Sequence, residues 1–458
     1  MKAMTDDTLT ALQARLGTAL AGRLPRHIDR LGWDARQLAT HQREQLRALL
    51  ATARERSPFH ARRLAGINPG RFELGQLAEL PVMTKEQMMA SFDELLTDRQ
   101  VTRARAERHL AACAHDPGLL DGRYVCLASG GSSGVRGLFV QTAEEYAEFA
   151  ASVVRRTMAA VFAGGGPPPG GLPVTIVAAA SPVHSSGFAA AVARGYPVEM
   201  TGIPATLPLG QIVRQLNDAQ PPALIAHSST LVVLAGEQRA GRLRISPRAI
   251  SAISELLTEE GRIAVRDAFG VPPVDQFVST EGLVGHSQPG GAVFGFATDM
   301  CIVELVDSRN RPVTDGTASA KVLLTNLHNH TQPLIRYELT DRFVRHPAPG
   351  DPYLHASVEG RADELFRYGA VTVDPLTIRT VMVRTPDVVE YQIRQTDRGI
   401  DAAVVATGAL DHAALASCLE QSLRTAGVPD PRVQVREVPA ISRHPQTGKT
   451  RRFIALVP

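Results

Sequence analysis

Leu127-Ala128-Ser129-Gly130-Gly131-Ser132-Ser133-Gly134-Val135-Arg136-Gly137 is the stretch on which the fold turns. It lies between two strand-like runs, Arg123 to Leu127 and Leu138 to Gln141, so the chain reads strand, loop, strand. A Walker phosphate loop leads from a strand into a helix and ends on Gly-Lys-Ser/Thr; neither feature is here. Glycines still let successive backbone N–H groups converge on an anion, and serine hydroxyls add uncharged donors. The loop suits the phosphates of a nucleotide, or a plain surface hairpin, and its own sequence leaves both open.

Outward from this loop the pattern alternates. Thr142 with Glu145 three residues on forms a capping box, and Tyr146, Phe149, Ala150, Val153, Val154 and Val161 keep helical spacing after it. The run Gly164-Gly165-Gly166-Pro167-Pro168-Pro169-Gly170-Gly171 breaks that helix, and Val174-Thr175-Ile176-Val177 reads as a buried strand. A helix-like segment at 209–219 then leads to a second buried run, Ala223 to Ala226. Strands and helices in alternation predict an α/β fold around a largely parallel sheet. Upstream, residues 39–56 place Leu46, Leu49, Leu50 and Ala53 on one helical stripe, which Ser57-Pro58 ends. The last hundred residues change character. Val388 to Ile393 and Ala402 to Ala406 read as a hairpin, 411–425 as a helix and Val433 to Val435 as a strand, a small α+β unit.

Composition narrows the class. At roughly 150 residues per domain, 458 residues make about three units. Lys plus Arg is 49 and Asp plus Glu is 46, a net charge of +3, and the basic residues are dispersed, which excludes a nucleic-acid footprint. With 44% hydrophobic and 21% charged residues, the chain is globular rather than disordered. No run approaches the ~18 apolar residues of a membrane span, and Met1 to Asp7 holds no signal-like apolar core. Cys113, Cys126, Cys301 and Cys418 lie far apart with no CxxC, and His286 with Cys301 does not make a zinc site. A reduced, cytoplasmic protein that binds neither nucleic acid nor membrane is expected.

Four further segments carry chemistry. Gln276-Phe277-Val278-Ser279-Thr280-Glu281-Gly282 sets hydroxyls and a carboxylate side by side at a strand end, where hard oxygen suits Mg²⁺. Asp341 closes the apolar run from Leu334 and can accept from two adjacent sugar hydroxyls. Val358-Glu359-Gly360-Arg361-Ala362-Asp363-Glu364 follows. Thr447-Gly448-Lys449-Thr450-Arg451-Arg452 is a cationic turn near the C-terminus.

These five segments, in this order, resemble the adenylate-forming superfamily of acyl-CoA synthetases, adenylation domains and luciferases. Within it the chain is most similar to the phenylacetate–CoA ligase branch, on three further cues: Leu49 to His60 (LLATARERSPFH), Glu79 to Glu86 (ELPVMTKE) and Pro333 to Tyr337 (PLIRY). The resemblance covers about residues 40–458. It implies a large N-terminal domain of layered sheets and helices over 1–360, binding ATP and acid, and a small mobile α+β C-terminal domain over 361–458. Ser129, Gly130, Gly131, Ser132, Ser133 and Gly134 would hold the ATP phosphates, with Ser279 beside the nucleotide. Thr280 would touch the α-phosphate, and Glu281 would ligand Mg²⁺. Asp341 would bind the ribose hydroxyls, Arg361 would lie near the phosphate or ribose, Asp363 would be the hinge, and Lys449 would meet the α-phosphate and carboxylate during adenylation. Gly369 would belong to the lid face presented in the second step.

Two departures stand out. Val135 and Arg136 occupy the places where many relatives carry Lys-Pro, and Phe277-Val278 replaces Tyr-Gly. Ser181 to Gly187 resembles the stretch bordering the acyl pocket, which assigns His184 there, and His227, Ser228 and Ser254 fall at strand ends expected to line the same cleft. Small residues around 178–191 leave room for an aryl or arylacetic acid. The implied function is ATP-dependent acyl-AMP formation with release of pyrophosphate, then transfer to coenzyme A. Transfer to an amine or to a carrier-protein pantetheine, and a degenerate nucleotide-binding homologue, stay open, as does a homodimer.

Overall fold

The computed structural model describes residues 6–129, 136–385, 388–406, 408–444 and 447–456. Gly130 to Val135, and with them all of the phosphate-loop assignment except Ser129, lie outside the described residues.

A nine-stranded sheet forms the centre. Its order runs Asp341–Arg345, His355–Arg361, Val293–Phe296, Val284–Ser287, Val274–Val278, Ala249–Ile253, Ala223–His227, Leu172–Ala178, Val198–Pro204. The last five of these strands are parallel, and the others join antiparallel. The sheet is therefore mixed rather than largely parallel. The reason is local: the turn Ser279–Gly282 is far too short for a helical crossover, so the chain must reverse direction there. The crossover from Val198–Pro204 passes over Leu172–Ala178 to reach Ala223–His227. That reversal of strand order opens a crevice at the carboxyl ends of those two strands, where α/β sheets gather ligands.

The expected helices form. Thr142 and Glu145 make the reciprocal capping box that opens Ala143–Ala163. Glu145 is also used further, accepting from the backbone of His330 and Thr331 at 2.8 and 3.0 Å. The amphipathic stripe lies on Ala35–Arg56, with Leu46, Leu49, Leu50 and Ala53 all buried. Each such leucine contributes about 1.5–3 kcal/mol of burial. Ser57 ends this helix and caps the next, Pro58–Arg63, with Pro58 in the first turn where its missing N–H is harmless.

The three stretches that cue the ligase branch meet in space. His60 Nε2 lies 2.9 Å from Pro333 O, and Arg336 donates to Leu80 O at 2.6 Å while pairing with Glu304 at 2.9 Å. Met83 bridges to Tyr337 in parallel. Residues 79–86 are thus stitched onto Tyr337–Leu339, a strand of a separate three-stranded sheet. Phe277 packs edge-on against Phe294, Phe296 and Phe343, so this residue, where the resemblance expects a tyrosine, joins an aromatic cluster.

Beyond Arg361 a four-stranded sheet, order Arg432–Glu437, Gly399–Ala406, Val388–Thr396, Phe453–Ile454, covers its own apolar cluster. That cluster includes Phe366, Ile378, Met382, Ile393, Ile400, Leu415, Leu419, Leu423 and Phe453. The strands on either side of Asp397-Arg398 pair antiparallel, and Asp411 caps the helix His412–Thr425. Among the described residues no helix is long and apolar enough to cross a membrane.

Candidate active site

The carboxyl ends of the parallel strands collect most of the residues singled out in the sequence. His184 follows Leu172–Ala178 and starts the helix Ser185–Val192. Its Nδ1 donates to Ala128 O at 3.2 Å, which fixes the tautomer and leaves a buried Nε2 with an unused lone pair. Burial is the main cause that holds its pKa below the ordinary histidine value, with Lys449, Arg136 and His444 adding to it. Arg136 is thus within electrostatic reach of the cleft. Gly187 is required by packing, since a Cβ there would overlap the carbonyl of Ser181.

His227 ends the next strand and is fully buried. Its Nε2 donates to Thr447 O at 3.0 Å, and burial drives its pKa to about 4. Ser228 Oγ donates to Glu255 O at 2.7 Å. Ser254 stands at φ +69°, a left-handed conformation costly for a residue with a Cβ. His227 thus forms part of the seat of the C-terminal hairpin, while Ser228 and Ser254 shape the turn at Glu255.

Ser279 to Gly282 make a tight turn. Ser279 Oγ accepts Leu283 N–H at 3.1 Å, and Asn326 Nδ2 donates to Glu281 O at 2.8 Å. Gly282 adopts φ +109° against Asn326, a geometry that only glycine fits. Thr280 and Glu281 are left partly exposed on this turn. Burial raises the Glu281 carboxyl above its usual range, and the nearby Asp341 adds to that, while Lys85 and Arg361 oppose it. Lys85 also acts on Asp341, whose carboxyl is likewise raised, chiefly by burial. In the sequence Lys85 stands out only within the cue Glu79 to Glu86. It is in the site because Met83 is pinned to Tyr337.

Asp341 and Arg361 are cross-strand partners, with Arg361 Nη1 4.0 Å from Asp341 Oδ2. Arg361 also donates to Asp363 at 2.9 Å and to Thr340 Oγ1 at 2.7 Å. Burial would lower its pKa, but Asp341 and Asp363 outweigh that and raise it. Glu364, next to Asp363, is pushed up to about 7, mainly by burial. Gly369, at φ +59°, lies exposed at the tip of the hairpin formed by Phe366–Tyr368 and Val371–Val373.

Lys449 reaches this cleft from the C-terminal sheet. It is carried on a tight hairpin in which Arg443 bridges Thr450 and His444 N donates to Lys449 O at 2.8 Å. Gly448, at φ +70°, passes directly over Ala205. Burial lowers the Lys449 pKa and Arg361 lowers it further, while Glu255 and Glu281 counter both. The structure thus brings Lys449, Glu281, Asp341, Arg361, His184 and His227 around one cleft. Glu255, Arg443 and Lys85 join them; of these, Glu255 is signalled in the sequence by the Ile253-Ser254-Glu255 segment and Lys85 by the 79–86 cue, whereas Arg443 carries no local signal.

No family model matches the chain, and no curated protein matches it in sequence. Solved structures do. A 2-hydroxyisobutyryl-CoA ligase in its postadenylation state superposes with a TM-score of 0.69 at 18% identity, over 94% of this chain and 91% of that one. The chain has the fold of the adenylate-forming enzymes. The same ligase in its thioesterification state gives 0.53 at 19% identity over the same shares. An anthranilate CoA ligase in complex with anthranoyl-AMP gives 0.51 at 15% identity, over 71% of this chain and 65% of that one. An amide bond synthetase from Marinactinospora thermotolerans also gives 0.51 at 15% identity, over 70% and 67%.

Proposed function

We propose that this adenylate-forming protein is an acid–thiol ligase that forms AMP. The observation that carries the reading is the delivery of Lys449 by the C-terminal hairpin into a cleft that also holds Glu281, Asp341 and Arg361. In the first half-reaction an oxygen of the substrate carboxylate attacks the α-phosphorus of ATP. A P–O bond forms, the α–β bridge breaks and pyrophosphate leaves. Negative charge gathers on the α-phosphate as this happens, and a lysine cation placed there lowers the barrier. In the second half-reaction the sulfur of coenzyme A attacks the acyl carbon and AMP departs.

The assignments follow from position. Asp341 and Arg361 would hold the ribose, and Ser129 begins the loop to Gly134 for the phosphates, with Arg136 or Lys85 as its cation. Ser279 shapes the turn that presents Thr280 and Glu281. Glu281 fits Mg²⁺: it is a hard oxygen donor whose carboxyl, raised by burial and by Asp341, a nearby cation would return to its charged form. Mg²⁺ takes few protein carboxylates and keeps substrate phosphate oxygens among its ligands, so one carboxylate such as Glu281 is enough to place it. Mg²⁺, when bound, supplies charge neutralisation at those phosphates.

The bodies are 1–360 and 361–458, with Asp363 at the crossing between Arg361, the last residue of the large sheet, and Phe366. Their arrangement here is the adenylating one. The better superposition on the postadenylation state than on the thioesterification state supports this. His184 borders the acid site, and its small neighbours suit an aryl or arylacetic acid.

The test is pyrophosphate release from ATP and Mg²⁺ with phenylacetate, benzoate, anthranilate and 2-hydroxyisobutyrate, with and without coenzyme A. Acid-dependent release that turns over repeatedly only with coenzyme A is the expected result. Release indifferent to coenzyme A would instead favour an amine acceptor, the chemistry named for the amide bond synthetase that shares this fold.

A further inference from the structure

Ser254, in its left-handed conformation, turns the chain so sharply that Glu255 N–H bonds back to Ile253 O at 2.9 Å. The Glu255 carboxylate then spans two parts of the molecule. One oxygen accepts Ser229 N–H at 3.0 Å, at the start of the helix Ser228–Arg239. The other accepts Thr450 N–H at 2.6 Å, one residue from Lys449. Weaker contacts surround this bridge: Thr450 Oγ1 lies 3.3 Å from Ser229 Oγ, and Arg443 donates to Thr230 Oγ1 at 3.0 Å. The bond from His227 to Thr447 O completes the seat.

We propose that Glu255 is a positioning residue that latches the lysine hairpin in the adenylating orientation, and so sets how readily the enzyme passes to its second half-reaction. This rests on the ligase reading above. Hydrogen bonds to a carboxylate are stronger than neutral ones, and these two share one side chain, so both hold while the hairpin is docked. Withdrawal of Lys449 must break the bond to Thr450 and strand the charge on Ser229 alone. The same negative charge faces the Lys449 ammonium and favours its protonated form. Glutamine keeps one acceptor oxygen but sets an NH₂ against the other N–H, so Glu255→Gln breaks the latch with little change of volume.

Two readouts test this on Glu255→Gln and Glu255→Ala. The first needs no substrate: fluorescence energy transfer between dyes on exposed Cys418 and on a cysteine replacing exposed Arg309, with Cys113 changed to serine. The second separates the half-reactions. ATP–pyrophosphate exchange uses the best acid of the panel, and thioester formation starts from the synthetic adenylate of that acid plus coenzyme A. The expected result is a changed lid–body distance, exchange lowered about 10- to 100-fold, and thioester formation kept or accelerated, as loss of one or two charge-assisted bonds predicts. Retained thioester formation also shows that the variants are folded. An unchanged distance, unchanged exchange, or an equal fall in both half-reactions overturns the latch. If the wild type adenylates no acid but the variants still change the distance, the latch stands and the ligase reading falls.

Discussion

Gly448→Ala tests whether the hairpin must sit where the structure puts it. A Cβ on Gly448 would lie 2.8 Å from Ala205 Cβ and 3.1 Å from its backbone carbon. Carbon–carbon contacts need about 3.5 Å or more, so the hairpin has to lift by roughly 0.7 Å. The left-handed backbone, φ +70°, adds strain of about 1 kcal/mol for alanine. Ala205 belongs to the apolar cluster of Ile203, Ile212, Leu216 and Leu224, but the strain falls on one contact, so overall stability should drop by no more than about 1–3 kcal/mol. Lys449 is the next residue, however, and misplacing a reacting group by about 1 Å costs on the order of 10²-fold. Adenylation, followed as ATP–pyrophosphate exchange, should therefore fall about 10- to 100-fold. Thioester formation from supplied acyl adenylate should persist, because the lysine is not needed there. Exchange within about twofold of wild type, with the variant folded, would refute the close packing of Gly448 on Ala205 as a determinant of lysine placement.

Lys449→Ala should lower adenylation roughly 10²- to 10³-fold while ATP binding and the second half-reaction survive, measured by exchange and by nucleotide titration. Because burial lowers the Lys449 pKa and the lysine must be protonated to act, wild-type exchange should decline as pH rises through a value below the ordinary 10.5, a limb absent from the alanine variant. Stability has its own pH signature. Burial lowers His60 and His286 to about 3 and His227 and His328 to about 4, from 6.5. Below pH 6.5 the unfolded chain therefore takes up protons that the folded chain refuses, so stability falls as pH drops from 6.5 toward 4 and 3. Urea midpoints across that range check the sign, and a midpoint that is flat or rises would contradict it.

The local elements were legible because their causes are local. The stripe Leu46, Leu49, Leu50 and Ala53 needs only helical geometry to become one face, and the Thr142–Glu145 box is complete within four residues. Phe277 stands in the sequence only as a departure from Tyr-Gly; its neighbours Phe294, Phe296 and Phe343 arrive from other strands and pack it against an aromatic cluster. His227, Ser228 and Ser254 were placed in the acid cleft from their strand ends. In the structure His227 bonds to Thr447 O of the hairpin, and Ser228 to Glu255 O.

The sequence by itself determined the α/β class and the capped, striped helices, since each depends on residue type and near neighbours; it singled out the loop from Ser129, the carboxylate of Glu281 and the cation of Lys449 through their resemblance to one family. The tertiary structure alone decided that Lys85 joins Glu281 and Asp341, that Arg361 spans Asp341 and Asp363, and that Glu255 ties Ser229 to Thr450. Those pairings cross up to 256 residues of chain. They follow from strand order and from the docking of one body on another, which no local pattern of side chains encodes.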